Sequence, residues 1–63
     1  LELAEYDYGE ALKRDKGNTH YLLNRADIRI RLKKYSEARK DLNNIVRSGT
    51  PKAALKEWYN KLR

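Results

Sequence analysis

An all-α fold, four short helices joined by tight turns, is what this 63-residue chain predicts, and three observations carry that expectation. Apolar residues recur at intervals of three and four through four segments, which places them on one side of a helix in each. Only brief clusters of turn-forming and capping residues separate those segments. The spacing of the first segment also returns 34 residues later, in the third.

The first helix is read from Leu1, Ala4, Tyr8, Ala11 and Leu12. Asp15 to Thr19 interrupts it: Gly17 suits the left-handed position past a helix end, and Asn18 or Thr19 can cap the next helix. In the second segment Tyr21, Leu22, Leu23, Ala26, Ile28, Ile30 and Leu32 make a helix apolar on more than one side, as expected of one packed between two others. Lys33 and Lys34 set its end, because cations favour a helix C-terminus. A third helix follows almost at once with Tyr35, Ala38, Leu42, Ile45 and Val46, so the second and third are expected to form an antiparallel hairpin. Ser48-Gly49-Thr50-Pro51 then reads as a stop and a start: Gly49 past a helix end, Thr50 as N-cap and Pro51 as first helical residue. The fourth helix is expected to bury Leu55, Trp58, Tyr59 and Leu62.

Composition narrows the function classes. Fifteen Lys and Arg against nine Asp and Glu give a net charge of +6, with 38% of residues charged, which favours an acidic partner. A chain this short has no room for an enzyme core with a deep pocket. It has no cysteine, so neither disulfides nor thiolate metal sites supplement the core, and a cytoplasmic setting is the expectation. No apolar run approaches the ~20 residues of a membrane span. The start at Leu1 gives the further expectation of a piece cut from a longer protein. Catalysis has little support: His20 has no cysteine or serine partner at a recognisable spacing, and His20 with Asp27 is no metal set. The three glycines form no phosphate loop, so no cofactor, metal or catalytic residue is expected.

Offsetting the first helix by 34 residues pairs Leu1 with Tyr35, Ala4 with Ala38, Asp7 with Asp41, Tyr8 with Leu42, Ala11 with Ile45 and Leu12 with Val46. On this period, and on Asn24-Arg25-Ala26 in one helix with Tyr35-Ser36-Glu37-Ala38 opening the next, the chain resembles the tetratricopeptide repeat family. The resemblance implies a helical-hairpin solenoid fragment, its four helices in a right-handed superhelical arrangement. Residues 1–16 would be the second helix of a preceding repeat, 19–48 one complete repeat, and 51–63 a terminal, capping helix. Lys16 departs from the family, which usually has proline there. Arg25 and Arg29 depart too, standing where leucine and tyrosine are favoured, so the hairpin interior is expected to be thin unless their stems lie along apolar surface.

In such a scaffold the first helices of successive repeats line a concave groove. His20, Asn24, Asp27 and Arg31 are spaced four, three and four apart and form one polar stripe, with Lys56 and Asn60 on the next helix. The resemblance thus implies protein–protein interaction through that groove. Asn24 stands where the family's chaperone-binding members hold the terminal carboxylate of an acidic peptide. The places matching the rest of that clamp align with Ala53 and Glu57, which cannot do the job, whereas Lys56 and Asn60 fit a clamp's opening helix. Nucleic acid is the contrasting partner: Arg25, Arg29, Lys33 and Lys40 are read as solvated charges pointing several ways, and only Tyr6 and Tyr21 are left free to stack on bases. A third reading is self-association through the unpaired first helix, or its pairing with flanking repeats.

Overall fold

The computed structural model describes residues 2–63, and it is all-helical there: α1 (Glu2–Arg14), α2 (Thr19–Arg31), α3 (Tyr35–Arg47), a 3₁₀ turn (Lys52–Leu55) and α4 (Lys56–Asn60). Leu1, read above as part of the first apolar stripe, lies outside the described residues. The central helix packs on both neighbours, α1 on one side and α3 on the other, which is why α2 is apolar on more than one face. Leu12, Leu22, Ala26, Ala38, Leu42, Ile45, Leu55 and Leu62 form one buried cluster. Each element therefore supplies at least one residue to the core except the short α4, whose flanks provide Leu55 and Leu62.

Turn chemistry fixes how the helices meet. Asn18 caps α2: its Oδ1 accepts the Tyr21 N–H at 3.1 Å while its Nδ2 donates to Asp15 Oδ2 at 2.9 Å. Gly17 does not take the left-handed conformation expected of it, because this turn closes through the Asn18 N–H on the Asp15 carbonyl and requires no positive φ. Among the described residues, positive φ occurs at Lys33 (62°) and Gly49 (115°). Each stands one residue past a helix cap, and the two ends close alike. The Lys33 N–H donates to Ile30 O at 3.0 Å and Lys34 N–H to Arg29 O at 2.7 Å, as Gly49 N–H does to Val46 O at 3.0 Å and Thr50 N–H to Ile45 O at 3.4 Å. Both are Schellman closures, which absorb the last free helix carbonyls and send the chain back along itself.

The C-terminal segment corrects the expectation of one continuous helix. Thr50 does not cap it: the 3₁₀ turn is entered from Pro51, which is extended (φ −59°, ψ 138°) rather than helical, and no side chain caps that turn. A 3₁₀ turn follows, and only Lys56–Asn60 is α-helical. The predicted contacts still form: Leu55 and Leu62 are buried, with Trp58 and Tyr59 half-buried against the core. Lys61 stacks its ammonium 4.5 Å from the Trp58 ring.

Candidate functional site

Polar chemistry inside the bundle is concentrated at one cluster. Asp41 of α3, only 1% exposed, accepts Arg25 Nη2 at 2.6 Å and Arg25 Nε at 3.0 Å, and both of its oxygens accept Arg29 Nη1 at 3.1 Å. Arg29 also reaches α1, donating from Nε to Glu5 Oε2 at 2.8 Å, and the other Glu5 oxygen accepts Lys34 Nζ at 2.8 Å. Five charged groups thus join α1, α2, α3 and the α2–α3 link. The Lys34 ammonium first, and then the Arg29 guanidinium, hold the Glu5 carboxyl below its usual value. Glu5 in turn holds the Lys34 ammonium above its usual value.

This cluster corrects the reading of Arg25 and Arg29 as solvated charges. Their side chains are only 18% and 17% exposed, and the carboxylate between them is what makes that burial tolerable. Lys33, Arg39 and Lys40 are exposed, as a charge run ordinarily is. With every acceptor of Asp41 occupied, the cluster is a structural tie rather than an open site.

The stripe on α2 stands at the surface. His20, Asn24 and Arg31 are exposed and Asp27 is half-buried. Asp27 and Arg31 satisfy one another, with Arg31 Nη2 at 3.3 Å from Asp27 Oδ2, so the Arg31 charge is already partly answered. Lys56 and Asn60 are placed differently. They line a shallow recess of about 390 Å³ together with Lys52, Ala53, Tyr59 and Arg63, none of which belongs to α2. Lys56 and Asn60 thus share this recess, and none of His20, Asn24, Asp27 and Arg31 is among the residues that line it. Within it, Lys52 lies 5.2 Å from the Tyr59 ring, whose hydroxyl donates to Asn43 Oδ1 at 2.7 Å. Three cations, an amide and no carboxylate line it. Lys52 and Arg63 escaped the sequence reading, which placed Tyr59 only in the core, although the four-four-three spacing of Lys52, Lys56, Asn60 and Arg63 is a stripe that could have shown the recess.

A second recess, about 530 Å³ and wide open, runs along α1 past Tyr6, Gly9 and Lys13, with Arg25 and Arg29 at its floor. Its charges are mixed. Two aromatic expectations also change. Tyr21 is half-buried, its ring 6.1 Å from that of Tyr8, so it is not free for stacking, whereas Tyr35 is 41% exposed and joins Tyr6 (63%) at the surface. Among the described residues no three His, Cys, Asp or Glu gather as a metal site, and no helix is long and apolar enough to cross a membrane.

No family model, curated protein or solved structure matches this chain.

Proposed function

We propose that the chain is a non-catalytic protein-binding module of tetratricopeptide type, and that it takes an acidic segment of a partner in the cationic recess over α4. The observation that carries this reading is the lining of that recess: Lys52, Lys56, Arg63 and Asn60 around the Tyr59 ring, with no acid among them. Ammonium and guanidinium groups on a shallow open surface favour carboxylates without the deep enclosure a small metabolite needs. The asparagine amide adds a donor and an acceptor for a peptide backbone. The repeat period, the sequential packing of α1, α2 and α3 and the net charge of +6 support the scaffold half of the reading. Within it, Asn24 and His20 on α2 are a secondary surface, and Arg31, paired with Asp27, contributes least.

Titration against a short aspartate- and glutamate-rich peptide tests this. A Lys52→Glu, Lys56→Glu double variant should weaken binding at least ~10-fold, since each lost charge-assisted contact contributes about 1.5–3 kcal/mol before screening by solvent and salt. Asn24→Ala, Arg31→Ala and Arg39→Ala should change it less than ~3-fold. Equal losses in all of these variants would reduce the effect to diffuse charge and overturn the reading. Preference for single-stranded RNA over the peptide at matched salt would transfer the recess to nucleic acid.

A further inference from the structure

Gly9 stands in the interior of α1, where glycine is less favourable than alanine because it exposes backbone and leaves the unfolded chain more freedom. Nothing in the packing asks for it. A Cβ built there would meet its nearest neighbour, Arg25 Nη1, at 3.8 Å, an ordinary van der Waals contact. Nor does the backbone ask for it, since the positive φ values among the described residues are those of Lys33 and Gly49. What the glycine does is leave the floor of the wide recess along α1 uncovered, directly over Arg25.

That floor is not used up by the ion-pair cluster. Arg25 holds Asp41 with Nε and Nη2, and Arg29 holds Glu5 with Nε and Asp41 with Nη1. Among the described residues, Arg25 Nη1 and Arg29 Nη2 make no hydrogen bond. No buried side-chain nitrogen or oxygen there lacks a partner, so these two groups are open to solvent. The charges of the cluster also leave a remainder. Arg25, Arg29 and Lys34 are three cations against the two carboxylates of Asp41 and Glu5. At the rim, Glu10 is already answered by Lys13 at 3.5 Å. Tyr6, 63% exposed, and the edge of Leu12 supply apolar lining, and about 530 Å³ is a volume in which small organic ligands are held.

We propose that this recess binds a small monocarboxylate with an aromatic or aliphatic body, its carboxylate lying over Gly9 and accepting from Arg25 Nη1 and Arg29 Nη2. Charge complementarity commits the ligand: one uncompensated positive charge calls for one negative charge, and guanidiniums already fixed by Asp41 are donors held in place before the ligand arrives. The body of the ligand packs on Tyr6 and Leu12. A peptide rich in acids suits the recess poorly, because Glu2 and Glu10 also line it. It shares no residue with the recess over α4, so neither proposal depends on the other.

NMR titration of the full chain with phenylacetate, beside phenylacetamide as the uncharged counterpart, tests this. Shifts should concentrate at the backbone of Tyr6, Gly9 and Lys13 and at the Nε–H signals of Arg25 and Arg29. The carboxylate should bind at least ~10-fold tighter than the amide. Gly9→Leu places a side chain in the approach to Arg25 Nη1, so affinity for phenylacetate should fall at least ~10-fold while the thermal unfolding midpoint rises, because leucine favours a helix over glycine. A glycine with only a structural role would not move the two readouts in opposite directions. The proposal is overturned by absence of saturable binding at millimolar phenylacetate, by equal binding of acid and amide, or by wild-type affinity in Gly9→Leu. A lowered thermal midpoint in that variant would make Gly9 a packing residue and also overturn it. Shifts centred on Lys56 and Asn60 would assign the acid to the recess over α4 instead.

Discussion

A carboxylate buried as deeply as Asp41 is costly unless cations are buried with it, and here two arginines from one helix are. Their spacing of four places both guanidiniums over the same turn of α3, so one carboxylate answers both. The pairing was not legible from the sequence. A run of arginines and lysines ordinarily faces water, and nothing in the spacing of Arg25 and Arg29 reveals that an aspartate in the following helix will meet them. Identity of Asp7 and Asp41 at the repeat offset was visible, yet only the folded chain separates the buried member from the exposed one. Asp41→Asn should therefore destabilise the chain by about 3–5 kcal/mol, since two partly buried guanidiniums lose their counter-charge. A domain of this size holds roughly 3–9 kcal/mol in all, so the variant should be largely unfolded by circular dichroism. Asp7→Asn, at the surface, should stay within ~0.5 kcal/mol of wild type. Similar urea midpoints for the two would refute the asymmetry.

At the level of elements, helix existence was legible because amphipathic spacing is a local property, and ends were legible only where a single residue decides them. Asn18 as a cap and Gly49 past the end of α3 are of that kind. Gly17, Thr50 and Pro51 are not: the turn after α1 closes without a positive φ at Gly17, and the 3₁₀ turn is entered from an extended Pro51 with no side-chain cap. The two Schellman closures invite a direct comparison. Gly49 occupies the left-handed position freely, while Lys33 holds it with a Cβ that crowds the backbone. A tight α2–α3 link is needed to bring Arg25 and Arg29 over Asp41, so the chain tolerates the crowding there. Lys33→Gly should raise stability by about 0.5–1 kcal/mol, the relief of strain exceeding the added freedom of the unfolded chain. Lys33→Val should lower it, because a β-branched side chain tolerates positive φ least. Urea midpoints in the order Gly, Lys, Val would bear this out, and a destabilised glycine variant would remove strain from the account of this turn.

For the molecule as a whole, the question is what holds α1 to the hairpin of α2 and α3. Apolar contact includes Leu12, which joins Leu22 in the buried cluster, and the tilted Tyr8–Tyr21 pair, and Glu5 bridges to Arg29 and Lys34. The bridge makes this attachment pH-dependent. Because the folded Glu5 value lies below its ordinary 4.5, the unfolded chain takes up the proton first. The contribution of Glu5 is thus fully present above about 4.5 and is lost as pH falls through its lower folded value. Lys34 behaves in the opposite sense: its folded value lies above 10.5, so its contribution persists through neutrality and is lost only as pH rises past that value. Acid also increases a net charge that is already +6, adding repulsion while the bridge disappears. Between neutral pH and about pH 3, the urea midpoint of the wild-type chain should fall, and amide exchange should accelerate first in α1 while α2 and α3 stay protected. A Glu5→Gln chain should begin less stable at neutral pH and decline more gently, because its bridge is already weakened. Parallel pH profiles for the two proteins would show that α1 is held by its apolar contacts alone and that Glu5 contributes nothing to the attachment.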